Sequence, residues 1–230
     1  MLKGLYSLPY TARIPTFRLS RRMKLRVKYY AIAVLPSVAP RISILPPGEL
    51  RLLDHEPGAF SMFVWKNITI LTWLAPATGA TTKRVAEETI RVASACPEGF
   101  SNIHLLQHGI GLPTAEARHD FAEMMNRHPE LACVGVALLG SGFWASALQS
   151  AITGIRMLSP KRSSIMRIHD SMEGVAEWLP QEHLKLTGVQ IGSAELQAAM
   201  TQVFSETLQQ AESGLHPVRK AASVRPPWDH

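Results

Sequence analysis

Three things are scarce in this chain of 230 residues. Cysteine occurs twice, at Cys96 and Cys133, and no CxxC pair exists. That excludes a disulfide framework and a cysteine-based zinc site and makes a reducing cytoplasm the simpler setting. Acidic side chains are missing from residues 1–48, which hold nine bases: Lys3, Arg13, Arg18, Arg21, Arg22, Lys24, Arg26, Lys28 and Arg41. Charge of either sign is missing from the 25 residues between Glu130 and Arg156.

The gap in acids explains the net charge of +6. Residues 49–213 carry 12 bases and 17 acids, a net of −5, and the last 17 residues add +2. The part of the chain with folding patterns is therefore mildly acidic. It has no basic stripe of the kind a nucleic-acid binder needs, so no nucleic-acid partner is expected.

The charge-free run from Leu131 to Ile155 is long enough to span a bilayer. Gly140-Ser141-Gly142 divides it into halves of different period. Leu131-Ala-Cys-Val-Gly-Val-Ala-Leu-Leu139 suits a strand buried on both faces of a sheet. In the second half Trp144, Leu148, Ala151, Ile152 and Ile155 share one side of a helix, and Ser146, Gln149, Ser150 and Thr153 occupy the other. A lipid-facing helix would be apolar all round and uninterrupted, so no transmembrane span is predicted.

Residues 1–48 are rich in Arg, Pro and Ser and lack a long periodic pattern. They read as a flexible basic arm for an anionic surface, or as sequence upstream of a true start at Met23 or Met62. The alternative is an export signal over residues 20–39, where Ser20-Arg21-Arg22 precedes the apolar run Tyr29–Leu35.

From Glu49 onward the chain alternates. Leu50–Asp54 is a weak strand. Phe60–Trp65 and Ile68–Trp73 form strands around a tight Lys66-Asn67 connection. A helix over residues 81–95 and a strand over residues 102–108 follow. Pro113 opens the next helix, with Ala117, Phe121, Met124 and Met125 on its apolar face and Pro129 beyond it. After the charge-free strand and helix come a short strand, Ser164–Ile168, and a helix capped by Asp170 and Glu173 that Pro180 is expected to stop. From residue 60 the order is ββ-α-β-α-β-α-β-α, an α/β fold with a mixed, mostly parallel sheet covered by helices. Residues 186–213 add an extra C-terminal helix, with Leu196, Ala199, Met200, Val203, Phe204 and Leu208 on one face, free to pack on the domain or on a second copy. Residues 214–230 read as a disordered tail.

This order of elements, with Gly142–Leu158 and Ile168-His-Asp-Ser-Met-Glu-Gly-Val-Ala-Glu-Trp-Leu179, resembles the STAS domain, the SpoIIAA-like fold of anti-sigma-factor antagonists. The resemblance covers roughly residues 60–180 and is similar to an uncharacterised bacterial branch of that family. It implies a regulatory domain acting through protein partners. Family members are switched by phosphorylation at the start of the helix after the central strand. That position corresponds here to Gly109–Glu116, where Thr114 is the candidate hydroxyl but lacks the preceding aspartate.

No catalytic constellation is visible. His104 and His108 lie roughly 13 Å apart if both sit on one strand, too far to share an ion, so no metal site and no cofactor are expected. Gly140, Ser141 and Gly142, with Trp144 beside them, form a strand-to-helix turn that can accept an anion. The competing expectation is a simple turn with Ser141 as helix cap. The turn is neither a P-loop nor a nucleophile elbow.

The reading that follows is a non-enzymatic regulatory or scaffolding module acting by protein–protein interaction. A homodimer through residues 193–212 would fit it. The alternative is a small-ligand or lipid-binding module with its site at the 140–144 turn. A third reading is an unrecognised enzyme at that turn. The domain is expected over residues 49–185.

Overall fold

The computed structural model describes residues 49–159 and 165–215. The expected basic arm or signal segment (1–48), the Lys161-Arg162 turn and most of the C-terminal tail lie outside the described residues.

Six strands form one sheet: β1 (Leu50–Glu56), β2 (Phe60–Trp65), β3 (Ile68–Trp73), β4 (Phe100–Gln107), β5 (Leu131–Leu139) and β6 (Ile165–His169). Their spatial order is their chain order. The pairs β1–β2 and β2–β3 are antiparallel; β3–β4, β4–β5 and β5–β6 are parallel. This is the predicted α/β mixed sheet. Lys66-Asn67 forms the β2–β3 connection, with Lys66 in the left-handed region at φ 54°. Phe60–Trp65 pairs with both of its candidate neighbours at once.

The parallel steps are bridged by α1 (Gly79–Ala95), α2 (Ala115–Arg127) and α3 (Phe143–Leu158). Parallel crossovers are right-handed, and every step advances in the same direction, so all three helices fall on one face. One core confirms this placement, joining Met62, Leu71, Leu106, Val134 and Val136 of the sheet to Val85, Ala117, Met125, Leu148, Ile152 and Ile155 of these helices.

The opposite face is covered by α4 (Met172–Thr187) and α5 (Ser193–Leu215). Trp65, Ile68, Ile70, Ile103 and Cys133 pack there against Val175, Leu179, Leu196, Met200 and Val203. The apolar face of α5 is therefore spent on β2 and β3 of its own chain. The stretch 193–212 does not leave that face open to a second copy, and the helix is part of the core.

Local boundaries correct several expectations. Pro113 precedes the N-cap Thr114 and does not open α2. Ser171, not Asp170, caps α4, its side chain accepting from Gly174 N–H at 3.2 Å. Pro180 lies inside α4, which continues to a left-handed Gly188 cap at φ 74°. A mid-helix proline removes one hydrogen bond and costs about 3 kcal/mol. Buried Val175, Ala176, Trp178 and Leu179 before it and His183 after it hold both halves on the sheet. Gly135 lets α4 approach β5 closely, since an added Cβ would stand 3.0 Å from Val175 Cγ1.

If α5 closes the second core, truncating its fully buried Leu196 to alanine should cost about 2–5 kcal/mol. Urea unfolding measures this loss. A loss below 0.5 kcal/mol would show that α5 is an appendage.

Candidate functional site

The anticipated turn between β5 and α3 is tightly packed. An added Cβ on Gly140 would fall 2.2 Å from His108 Nδ1 and 2.8 Å from the Trp144 ring. Only glycine allows that approach. The His108 and Trp144 rings lie 5.0 Å apart, and Trp144 Nε1–H donates to the Ile110 carbonyl at 2.7 Å. The structure thus brings Gly140 and Trp144 together with His108 and the loop after β4.

Ser141 is exposed and does not cap the helix. The N-cap is Gly142, at φ 76°, with no side-chain bond to the helix end. Glycine takes that position because the left-handed backbone there is strained for any side chain. Among the described residues the Ser141 hydroxyl has no histidine partner. Thr114 is the exposed N-cap of α2, its hydroxyl accepting from Ala117 N–H at 3.1 Å.

The concavity lies beneath α2 and α3, not at the turn. A cavity of about 70 Å³ opens between these helices and the sheet. Trp73, His104, Val136, Met124, Leu148 and Ile152 are among its lining residues, and Ile110 and Gly111 belong to the loop that Trp144 pins. By the yardstick of 10–15 Å³ for one water, it has room for a ligand fragment of several heavy atoms.

His104 is the titratable side chain in this lining. It is 8% exposed, although the sequence suggests a polar position at the sheet end. Trp73 Nε1–H donates to its Nδ1 at 3.1 Å, and Phe121 packs edge-on at 5.6 Å. Burial pushes the imidazole pKa down to about 4, so the ring is neutral at physiological pH. Because Nδ1 accepts, the ring proton resides on Nε2.

The other face holds a second buried histidine, which sequence reasoning missed. His183 Nδ1 lies 2.8 Å from Ser101 Oγ, and its Nε2 lies 3.0 Å from Asn67 Oδ1. Asn67 Nδ2 donates to the Gly99 carbonyl at 2.9 Å. The Ser–His–Asn order has the residue types of a nucleophilic relay. Ser101 and His183 are fully buried, however. Residues separated by more than 80 positions converge here, so spacing gives no signal for the cluster. Its role is to tie the β2–β3 turn and β4 to α4.

The thiols are equally enclosed. Cys96 and Cys133 are free and buried, and burial raises both to about 11, far from the thiolate form that reacts. No helix among the described residues is long and apolar enough to cross a membrane. Comparison of the chain with protein-family models and with curated proteins finds no match.

Burial likewise lowers His183 to about 4. In the unfolded chain both histidines titrate near 6.5 and take up protons that the folded state refuses. Stability is therefore full above pH 6.5 and declines as the pH falls from there toward 4. Between pH 7 and 5 each buried histidine should remove about 1–2 kcal/mol. Urea unfolding of wild type and His183→Gln at the two pH values tests this. The variant should be weaker at pH 7 yet lose less on acidification; equal losses would overturn the assignment.

Proposed function

We propose that the chain is a non-enzymatic binding module whose ligand is a small, mainly apolar molecule held between α2, α3 and the sheet. The observation that carries this is the cavity lined by Trp73, Val136, Met124, Leu148 and Ile152 with one histidine among them. Predominantly apolar pockets with a few placed polar groups are the usual form of small-molecule sites. Of the two binding modes raised by the sequence, ligand binding gains support, and its location moves from the 140–144 turn to the space beneath it. The turn keeps a role as the rim, because Trp144 fixes Ile110.

The ligand-bound form would act as a regulatory element, in line with the resemblance to STAS domains. That resemblance rests on element order and the text of residues 142–179, and fold likeness is weak evidence for activity. A reducing cytoplasm suits the two free thiols.

A protein partner is the second reading. On α3, Phe143 is 89% and Met157 79% exposed, which favours contact with another macromolecule. Thr114, exposed at a helix N-terminus, is a candidate phosphorylation site on that reading. A phosphate there would meet the positive end of the α2 dipole.

Met124, Met125 and Met166 line the cavity and report its occupancy. With methyl-labelled methionine, added benzene should shift these three resonances in a saturable way, with millimolar or tighter affinity. Val136→Phe, which fills the space, should abolish the response. Unchanged methionine signals in wild type would refute ligand binding at this place.

A further inference from the structure

We propose that the ligand is uncharged and carries a single hydrogen-bond acceptor, such as a ketone, aldehyde or ester carbonyl, which takes the proton of His104 Nε2. This inference rests on the ligand-binding reading and specifies the chemistry of the same cavity.

The argument begins with the tautomer. Trp73 Nε1–H occupies His104 Nδ1, which leaves Nε2 as the donor. Among the described residues Nε2 has no acceptor within hydrogen-bond distance. The side chain is more than nine-tenths buried and lines the cavity. Nε2 is not among the fully enclosed polar atoms that lack a partner, and a ligand in the cavity can offer it an acceptor.

Water is a poor substitute. A buried water needs two to four polar partners, and among the described residues the side chains around the cavity are otherwise apolar or, for Trp73, already committed. A carboxylate is equally unsuited. Among the described residues no Lys or Arg lines the space, and a charged group buried without a counter-charge is strongly disfavoured. A hydrocarbon would fill the volume but leave Nε2–H unmatched. One neutral acceptor on an apolar frame satisfies all three conditions.

Position supports the same choice. The imidazole is held by Trp73 on one side and by Phe121 edge-on at 5.6 Å, so its donor is fixed before a ligand arrives. A preset donor binds without a further ordering cost.

The test uses three probes of similar frame and the methionine methyl signals as readout. They are cyclohexanone, methylenecyclohexane (a =CH2 group in place of the oxygen) and cyclohexanecarboxylate. The full chain should bind the ketone about five- to tenfold more tightly than the hydrocarbon, consistent with one net hydrogen bond, and should bind the carboxylate most weakly. The His104 Nε2–H proton should move downfield with the ketone alone. In His104→Phe the two neutral probes should become equivalent, whereas His104→Gln, which retains a donor and an acceptor, should keep a preference for the ketone. Benzene shifts of Met124 and Met125 in each variant confirm that its cavity is intact. If the His104→Phe chain does not fold, the wild-type ranking and the imidazole proton decide the matter. Equal binding of ketone and hydrocarbon to wild type, or tighter carboxylate binding, overturns this inference while leaving the ligand-binding reading intact. No response to any probe, benzene included, overturns that reading itself.

Discussion

The structure depends on one constraint: a sheet whose inner strands are apolar on both faces must be covered on both. Strands β2 and β3 are buried at every position, and β4 and β5 at all but their last. The three parallel crossovers advance in one direction, so their right-handedness sends all three helices to the same side. The chain must then find cover for the other side beyond β6. Helices α4 and α5 provide it, α4 over β4, β5 and β6 and α5 over β2 and β3.

That division of labour explains where the polar clusters fall. Helix α4 reaches the sheet late in the sequence, and its seat is defined by specific hydrogen bonds. His183 bridges Ser101 and Asn67, and Asn67 in turn holds Gly99. Buried hydrogen bonds contribute modestly when made but cost more when broken, so the cluster selects one register for α4. At the sheet's antiparallel end, Arg84 of α1 meets Asp54 and Glu56 of β1 and lies over the Phe60 ring at 5.2 Å. The edge strand is thereby anchored by a partly shielded charge cluster. Lys66–Glu195 links the β2–β3 turn to α5 and Lys83–Glu116 links α1 to α2, whereas pairs such as Lys185–Glu182 are local, and such pairs contribute little.

The legibility of the sequence follows the range of the interactions. Strand β5 appears between the expected residues because an all-buried strand writes its burial into nine consecutive positions. The hairpin is also a short-range feature. Pro180 misled because the cost of a mid-helix proline is local while the packing that outweighs it is not. Ser141 misled because a serine before a helix reads as a cap, whereas the cap position falls on Gly142 and is set by its left-handed backbone. The cavity left no trace, since its lining comes from four strands, two helices and two connecting loops. His104 and His108 looked like equivalent polar positions, but only the first lies within the sheet.

The two buried histidines show what distinguishes the faces. Both are neutral for the same physical reason, burial that lowers the pKa to about 4. On the α4 face both ring nitrogens have partners, and large side chains such as Phe63, Trp65, Trp178 and Met200 pack the surroundings. On the α2–α3 face one nitrogen is held by Trp73, and the surroundings combine Trp73 and Phe121 with Ala77, Val136 and the adaptable Met124 and Met125. The sheet thus carries one imidazole bonded at both nitrogens and, on its other side, one bonded at a single nitrogen among the described residues.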